Sequence, residues 1–133
     1  MAIGTEAAAT SDPAGAVPRD QIPQIDRSAH LLFSADINAA CPNSVIEAMA
    51  CGLPIVGFDT GALNELVVGD SGRIVPYGGD VWKLDHPDIA ALAQSAVEIL
   101  SDQFRFRQTA RAQAEKTLGL DQMTDGYLKV LLR

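Results

Sequence analysis

The chain has few of the residues that define zinc-bound, disulfide-linked or nucleic-acid-binding proteins. Its 133 residues include two cysteines, Cys41 and Cys51, with no CxxC pair, and both histidines lie far from either cysteine in sequence. This pattern predicts neither a zinc site nor a disulfide framework. The 10 basic residues are outnumbered by 17 acidic ones, and the net charge of -7 argues against affinity for nucleic acid or an anionic membrane surface.

Long apolar runs are also absent. No stretch approaches the roughly 20 apolar residues of a transmembrane helix, and no basic start precedes an apolar run as in a signal peptide. The sequence therefore predicts a cytoplasmic protein without a transmembrane segment. The few basic residues cluster near the C-terminus with the spacing of a solvated helix face; they include Arg105, Arg107, Arg111 and Lys116.

What is present is typical of one soluble globular domain. Hydrophobic residues make up 47% of the chain and charged residues 20%, at a length suited to a single core. Residues 1–16 are rich in Ala, Gly, Thr and Ser and have Ile3 as their one bulky side chain, which predicts a mobile tail. The predicted domain is thus residues 17–133.

Short apolar runs alternate with helical patterns along this domain. Continuous apolar strands separated by helices predict an α/β fold, with a partial Rossmann-like parallel sheet of about three strands covered on both faces. The predicted strands are residues 31–35, 53–58 and 73–77. The clearest predicted helix is residues 87–101, with Asp88 near its start, and residues 103–133 are predicted to be helical with a break near Gly119 to Asp121.

Three helices carry apolar residues that are predicted to face inward. The sets are Ile22 and Ile25; Ile89, Leu92, Ala93, Ala96, Val97 and Leu100; and Tyr127, Leu128, Leu131 and Leu132.

The stretch CPNSVIEAMACGLPIV, from Cys41 to Val56, supports two interpretations of Glu47. Asn43 or Ser44 is predicted to be the N-cap and Gly52 to end the helix. Ser44 and Glu47 have the S-x-x-E spacing of a capping box, which is a purely structural role. Alternatively, this helix begins beyond the carboxyl end of a parallel strand, where its free N–H groups can bind a diphosphate and Glu47 can accept ribose hydroxyls.

Three ordered segments give the chain a family resemblance. VPRDQIPQIDRSAHLLFS, CPNSVIEAMACGLPIV and GFDTGALNELVVGDSGRIVPYG together resemble the C-terminal, nucleotide-binding part of GT-B fold retaining glycosyltransferases of family 4. The resemblance implies half of a GT-B nucleotide-binding domain and a nucleotide-diphosphate-sugar donor, with no metal cofactor.

The resemblance also implies a set of nucleotide-sugar-binding residues. It places the amides of Asn43, Ser44 and Val45 near the phosphates or the sugar, and matches Glu47 to a glutamate that contacts the ribose. A second element, TGALNE, contributes Gly61 and Glu65 to the same face. Family members carry a further glutamate eight positions before the ribose-binding one, and this chain has Ala39 there.

Two functional hypotheses follow from this resemblance. In the first, the chain is a fragment of a glycosyltransferase and is inactive alone, since the family's acceptor domain and its phosphate-binding Arg and Lys have no counterpart here. In the second, it is a degenerate, non-catalytic nucleotide-binding or interaction module. The missing strands also predict self-association through the strand Leu31 to Ala35, whose edge would lack its neighbour.

Overall fold

A computed structural model describes residues 15–132, so the first fourteen residues of the predicted tail lie outside the described part. The helices and strands follow in chain order: α1 Ile22–Ser28, β1 Leu32–Ser34, α2 Asn43–Ala50, β2 Ile55–Phe58, α3 Leu63–Leu66, β3 Gly72–Val75, α4 Ile89–Ser101, α5 Gln103–Thr117 and α6 Leu120–Leu131. Single 3-10 turns occur at Arg19–Gln21, Gly69–Ser71 and Val81–Lys83.

The three strands form one parallel sheet in the order β1-β2-β3. Leu32 pairs with Ile55 across the first ladder, and Ile55 pairs with Gly72 across the second. All four residues of β2 are buried, as expected for a central strand with helices on both faces. The predicted α/β fold with three strands is confirmed.

Alternate side chains of β2 enter two separate cores because successive residues of a strand point to opposite faces. Ile55 belongs to a core formed with α2 and α3, whereas Val56 and Phe58 belong to a core formed with α4 and α5. The first core contains Val45, Ala48, Met49, Leu53, Ile55, Leu63, Val67 and Ala114. The second contains Val56, Phe58, Leu92, Ile99 and Phe106, so α5 contributes to both cores.

Helix α2 ends where the sequence predicts but begins differently. Gly52 follows its C-cap with a φ of +72°, a backbone conformation that glycine adopts without strain. The N-cap is Pro42, whose carbonyl accepts the N–H groups of Val45 and Ile46. The prediction that Asn43 or Ser44 is the N-cap is therefore wrong. Proline fixes an extended entry to the helix, so Asn43 and Ser44 fall within its first turn.

The predicted start of α4 at Asp88 is confirmed, because its carboxylate accepts the Ala91 N–H at 2.9 Å. The predicted break before α6 is confirmed too, at Leu118 and Gly119.

The prediction of which helix residues face inward is only partly correct. On α4, Leu92 is buried with Ile99, and the large apolar residues Ile89, Val97 and Leu100 are exposed; in α1 and α6 no residue is buried. Periodicity finds an apolar stripe but does not show whether another element lies against it.

The basic cluster on α5 does more than face solvent, contrary to the sequence interpretation. Arg107 donates from Nη1 to the Ala29 carbonyl at 2.7 Å and from Nη2 to the Arg27 carbonyl at 3.1 Å. Arg111 donates to the Ala50 carbonyl at the end of α2. Cations stabilise the carbonyl-bearing ends of helices, so α5 holds the C-terminal ends of α1 and α2 in place.

Candidate functional site

The candidate site lies at the carboxyl ends of β1 and β2, where parallel α/β sheets bind ligands. Residues 35–42 connect β1 to α2, and residues 59–62 connect β2 to α3. Two hydrogen bonds join these connections: Thr60 Oγ1 donates to the Asp36 carbonyl at 3.2 Å, and the Ala62 N–H donates to the Ala39 carbonyl at 2.9 Å. The two loops therefore form one fixed surface beside the start of α2.

Gly61 lies at the contact between these two loops. Its φ is +58°, and a Cβ atom built on it would lie 2.5 Å from the Ala39 carbonyl oxygen. Any larger residue would be strained in this conformation and would push the loops apart. The structure thus places Gly61 against Ala39, the position where the resemblance leads one to expect a glutamate.

The start of α2 offers two backbone donors. The N–H groups of Asn43 and Ser44 precede the first helical hydrogen bond, and no acceptor for them is found among residues 15–132. The Val45 N–H is already donated to the Pro42 carbonyl at 3.1 Å, and its side chain is fully buried. A ligand at this helix end would therefore meet Asn43 and Ser44 first.

Glu47 does not form the capping box that its spacing with Ser44 allows. Because the N-cap is Pro42, Ser44 is inside the helix, and no side chain caps α2. The carboxylate instead lies 3.9 Å from the guanidinium of Arg19 and lines a pocket of about 230 Å³. The pocket residues are Arg19, Ile22, Pro23, Asp26, Glu47, Ala50 and Cys51.

The pocket has an acidic and a cationic side. Partial burial, and secondarily the negative charge of Glu47, raise the pKa of the Asp26 carboxyl above its ordinary value. Arg19 is 92% exposed, so its weak ion pair with Glu47 leaves it free to reorient toward another anion. The arrangement provides two carboxylates that can accept hydroxyl hydrogen bonds beside one exposed cation.

The other predicted site residues lie outside this pocket. Asn43, Ser44 and Val45 stand at the start of α2, one turn before Glu47, and Gly61 holds the adjoining loops. Glu65 is exposed on α3, and its N–H donates to the Ala62 carbonyl. The structure therefore brings Glu47 into a pocket and leaves Glu65 on a neighbouring surface.

Sequence reasoning missed Arg19, Asp26 and Cys51 as pocket residues. They come from two helical segments that are separated by a strand, and no local spacing rule links such segments. One signal was available: Arg19 is a rare cation in the acidic N-terminal half of the chain.

The family model described as glycosyl transferases group 1 matches residues 8–102, which include every predicted site residue and every pocket residue. Among the described residues, no helix has both the length and the hydrophobicity needed to cross a membrane.

One relative is the 2-deoxystreptamine N-acetyl-D-glucosaminyltransferase of Streptomyces fradiae. The two proteins are 29% identical over 123 residues, which is 90% of this chain and 27% of the relative. The chain thus spans about a quarter of the relative's length. The family match covers most of the chain, and on that basis the chain belongs to the group 1 glycosyl transferases.

Proposed function

We propose that this chain supplies donor-binding residues of a GT-B fold, retaining glycosyltransferase of family 4, which transfers a sugar from a nucleotide-diphosphate-sugar to an acceptor. The observation that carries the proposal is the position of Glu47. Its carboxylate faces a pocket and does not cap its own helix, while the free N–H groups of Asn43 and Ser44 lie one turn earlier.

The donor would lie across the start of α2 in this proposal. The N–H groups of Asn43 and Ser44, aided by the helix dipole, would hold the diphosphate. The Val45 N–H already donates to the Pro42 carbonyl, so it could bind the diphosphate only as a hydrogen bond shared between the two acceptors. Arg19 would leave Glu47 and pair with a phosphate, since an exposed ion pair at 3.9 Å is weak.

Glu47 would then accept the ribose hydroxyls. Asp26, which also lines the pocket, would offer a second carboxylate for the nucleoside, a role that sequence reasoning did not give it. Gly61 and Glu65 would close the neighbouring face, Gly61 by keeping the loop at Ala39 in place. No metal is required in this proposal, because the helix end and Arg19 carry the positive charge.

The second candidate is a non-catalytic nucleotide-binding module, and Ala39 favours it. The side chain of Ala39 is a methyl group, so it provides no carboxylate where the family places its sugar-contacting glutamate, and Gly61 and Ala62 hold its backbone in place. Electrostatic stabilisation of a leaving diphosphate is commonly a large part of catalysis. With Arg19 as the one cation in the pocket, we expect the isolated chain to bind nucleotide without transferring sugar.

Calorimetric titration with UDP and GDP tests the binding proposal. We expect dissociation constants in the high micromolar range or weaker, a binding free energy of about 4 to 6 kcal/mol. Glu47→Gln should weaken binding by about 1 to 3 kcal/mol, the scale of a lost charged hydrogen bond. Asp125→Asn on α6 removes an exposed carboxylate far from the pocket residues in sequence and serves as the control.

Equal affinities for wild type and Glu47→Gln would remove Glu47 from the site. An assay with nucleotide-activated sugars separates the two candidate functions, and the relative's name makes an N-acetylglucosaminyl donor the first to test. Donor cleavage by this chain would contradict the non-catalytic alternative.

A further inference from the structure

The pocket beside Glu47 continues along α2 toward the end of that helix. Ala50 and Cys51 line it three and four residues after Glu47, on the same face of the helix. Asn43 and Ser44, whose N–H groups have no acceptor within residues 15–132, lie four and three residues before Glu47 and share that face. These three positions form one stripe along α2, with steps of roughly 5 Å at the rise of an α-helix.

The order along this stripe matches the order of parts in a nucleoside diphosphate. With the diphosphate at the start of α2 and the ribose at Glu47, the base would enter the space beside Ala50 and Cys51. The pocket has a volume of about 230 Å³. Pockets that enclose a whole drug-sized ligand measure roughly 300 to 1,000 Å³, so this one suits a single ring system such as a base.

Helix α1 packs against α2 and forms the other wall of the pocket. Arg107 donates to carbonyls at the C-terminal end of α1, and Arg111 donates to the last carbonyl of α2. These arginines are about one turn apart on α5, so the two C-terminal ends lie side by side and the helices run in roughly the same direction. The start of α1 is therefore at the phosphate end of the pocket, and its last turns are at the base end.

The pocket has opposite charges at its two ends. Arg19 precedes α1 and lies at the Glu47 end, 3.9 Å from that carboxylate. Asp26 comes two turns later, so it lies toward the base end. Between them, Ile22 and Pro23 form an apolar wall. The cation suits a phosphate, and the carboxylate suits a base that donates hydrogen bonds.

The Asp26 carboxylate is half-buried and lacks a partner in the described part of the chain. Within residues 15–132, neither of its oxygens accepts a hydrogen bond or forms an ion pair, and the charge that acts on it is the negative one of Glu47. Partly buried polar groups are normally hydrogen-bonded, and an ionised carboxylate can only accept. A ligand that donates hydrogen bonds would therefore satisfy Asp26.

Guanine is the base that best fits an acceptor-only group. Its N1–H and its 2-amino group lie side by side on one edge, so they can donate two parallel hydrogen bonds to a single carboxylate. Adenine and cytosine place a ring nitrogen acceptor beside their amino group, and uracil has one N–H between two carbonyl oxygens. Each of these bases would turn an acceptor toward one carboxylate oxygen.

We propose that Asp26 selects a guanine nucleotide through a bidentate contact with N1–H and the 2-amino group, so that the donor is a GDP-sugar. This inference rests on the proposed function, because it takes the ribose position from Glu47 and the phosphate position from the start of α2. It assigns the identity of the base to one side chain of α1.

Calorimetric titration of the full chain with GDP, IDP and UDP tests the inference. IDP differs from GDP only in lacking the 2-amino group. GDP should bind roughly tenfold or more tightly than UDP, with IDP between them, since a bidentate contact discriminates on this scale. Asp26→Asn should weaken GDP binding roughly tenfold and leave UDP binding unchanged, which also shows that the variant is folded. Asp125→Asn, an exposed carboxylate on α6, is the matched control and should keep the GDP preference.

The outcomes separate this inference from the proposed function. Equal affinities for GDP and UDP, both weakened by Glu47→Gln, overturn the selection of guanine and leave the proposed function in place. A GDP preference that persists in Asp26→Asn overturns the role of Asp26. Binding of none of the three nucleotides overturns the proposed function and this inference together.

Discussion

Helices α5 and α6 follow one another in the chain and differ in an unexpected way. The more polar helix, α5, carries three arginines, yet it buries Phe106, Ala110 and Ala114. The more apolar helix, α6, carries leucine, methionine, tyrosine and valine, yet it buries nothing. Only Leu118 and Gly119 separate the two helices.

The difference shows that the packing of a helix against the rest of the chain depends on where a few of its side chains point and not on its apolar content. Phe106 is completely buried, and the guanidinium groups of Arg73 and Arg105 lie 4.5 and 4.9 Å from the centre of its ring. Arg107 reaches the backbone carbonyls of another helix. Such contacts satisfy hydrogen bonds as well as bury surface, and within residues 15–132 α6 has no comparable partner.

The largest effect is expected for removal of the aromatic anchor of α5. Phe106→Ala should lower the free energy of unfolding by about 3 to 5 kcal/mol, because it leaves a cavity in the core and removes the ring between two arginines. Tyr127→Ala on α6, measured in dilute protein so that association does not contribute, should change it by less than about 0.5 kcal/mol. Urea denaturation of both variants gives the comparison directly. Similar losses for the two would mean that α6 is packed as firmly as α5.

An intermediate effect is expected for the arginine that ties α5 to α1. Arg107→Ala should cost about 1 to 2 kcal/mol of unfolding free energy, since two charge-assisted hydrogen bonds to the end of α1 are lost. Arg107→Lys keeps the charge near the helix end but can satisfy fewer carbonyls, and should lose roughly half as much. Hydrogen exchange of the α1 amides locates the change. Unchanged exchange rates of the α1 amides in Arg107→Ala would show that the hydrogen bonds of Arg107 do not stabilise α1.

The smallest effect concerns the ion pair beside Phe106, and it depends on pH. Arg73 donates to both carboxylate oxygens of Glu98 at 2.6 and 3.0 Å, and these hydrogen bonds hold the pKa of Glu98 below its ordinary value of 4.5. A group with a lowered folded-state pKa stabilises the protein above its unfolded value, and that contribution is lost as pH falls through the folded value. Because Glu98 is exposed, the contribution is small.

Wild type should therefore lose slightly more stability than Glu98→Gln as the pH drops below about 4.5. Urea midpoints for both proteins over a pH series measure the difference. Parallel pH profiles would indicate that solvent already screens the pair. A steeper loss in Glu98→Gln would contradict the assigned direction of the pKa shift.

The sheet itself could be predicted closely from the sequence. Each observed strand lies within or overlaps one of the three predicted apolar runs, residues 31–35, 53–58 and 73–77. Short apolar segments bounded by turn residues are typical of buried strands. Helix ends marked by special residues were equally clear: Gly52 ends α2, and Asp88 caps α4. These signals depend only on neighbouring residues, so they can be recognised directly in the sequence.

The candidate site was predictable only in part. The position of Glu47 followed from the family resemblance, but its competing role in a capping box could be dismissed only once Pro42 was seen to cap α2. Arg19 and Asp26 could not be found, since their contact with Glu47 depends on how α1 lies against α2. Arg107 and Arg111 of α5 contact the C-terminal ends of both helices, and these arginines are distant in sequence from all three residues.

The sequence by itself determined the α/β class, the parallel strands, the C-terminal end of α2, the start of α4 and the membership of a glycosyltransferase family, because periodicity and ordered motifs express these directly. The tertiary structure decided which apolar faces are covered. Leu92 and Ile89 share one predicted stripe on α4, yet Leu92 is buried and Ile89 is exposed. Their side chains have the same chemistry, and what differs is whether another element of the chain lies against them. A sequence pattern specifies what a surface is made of, whereas only the packing of distant segments specifies what it contacts.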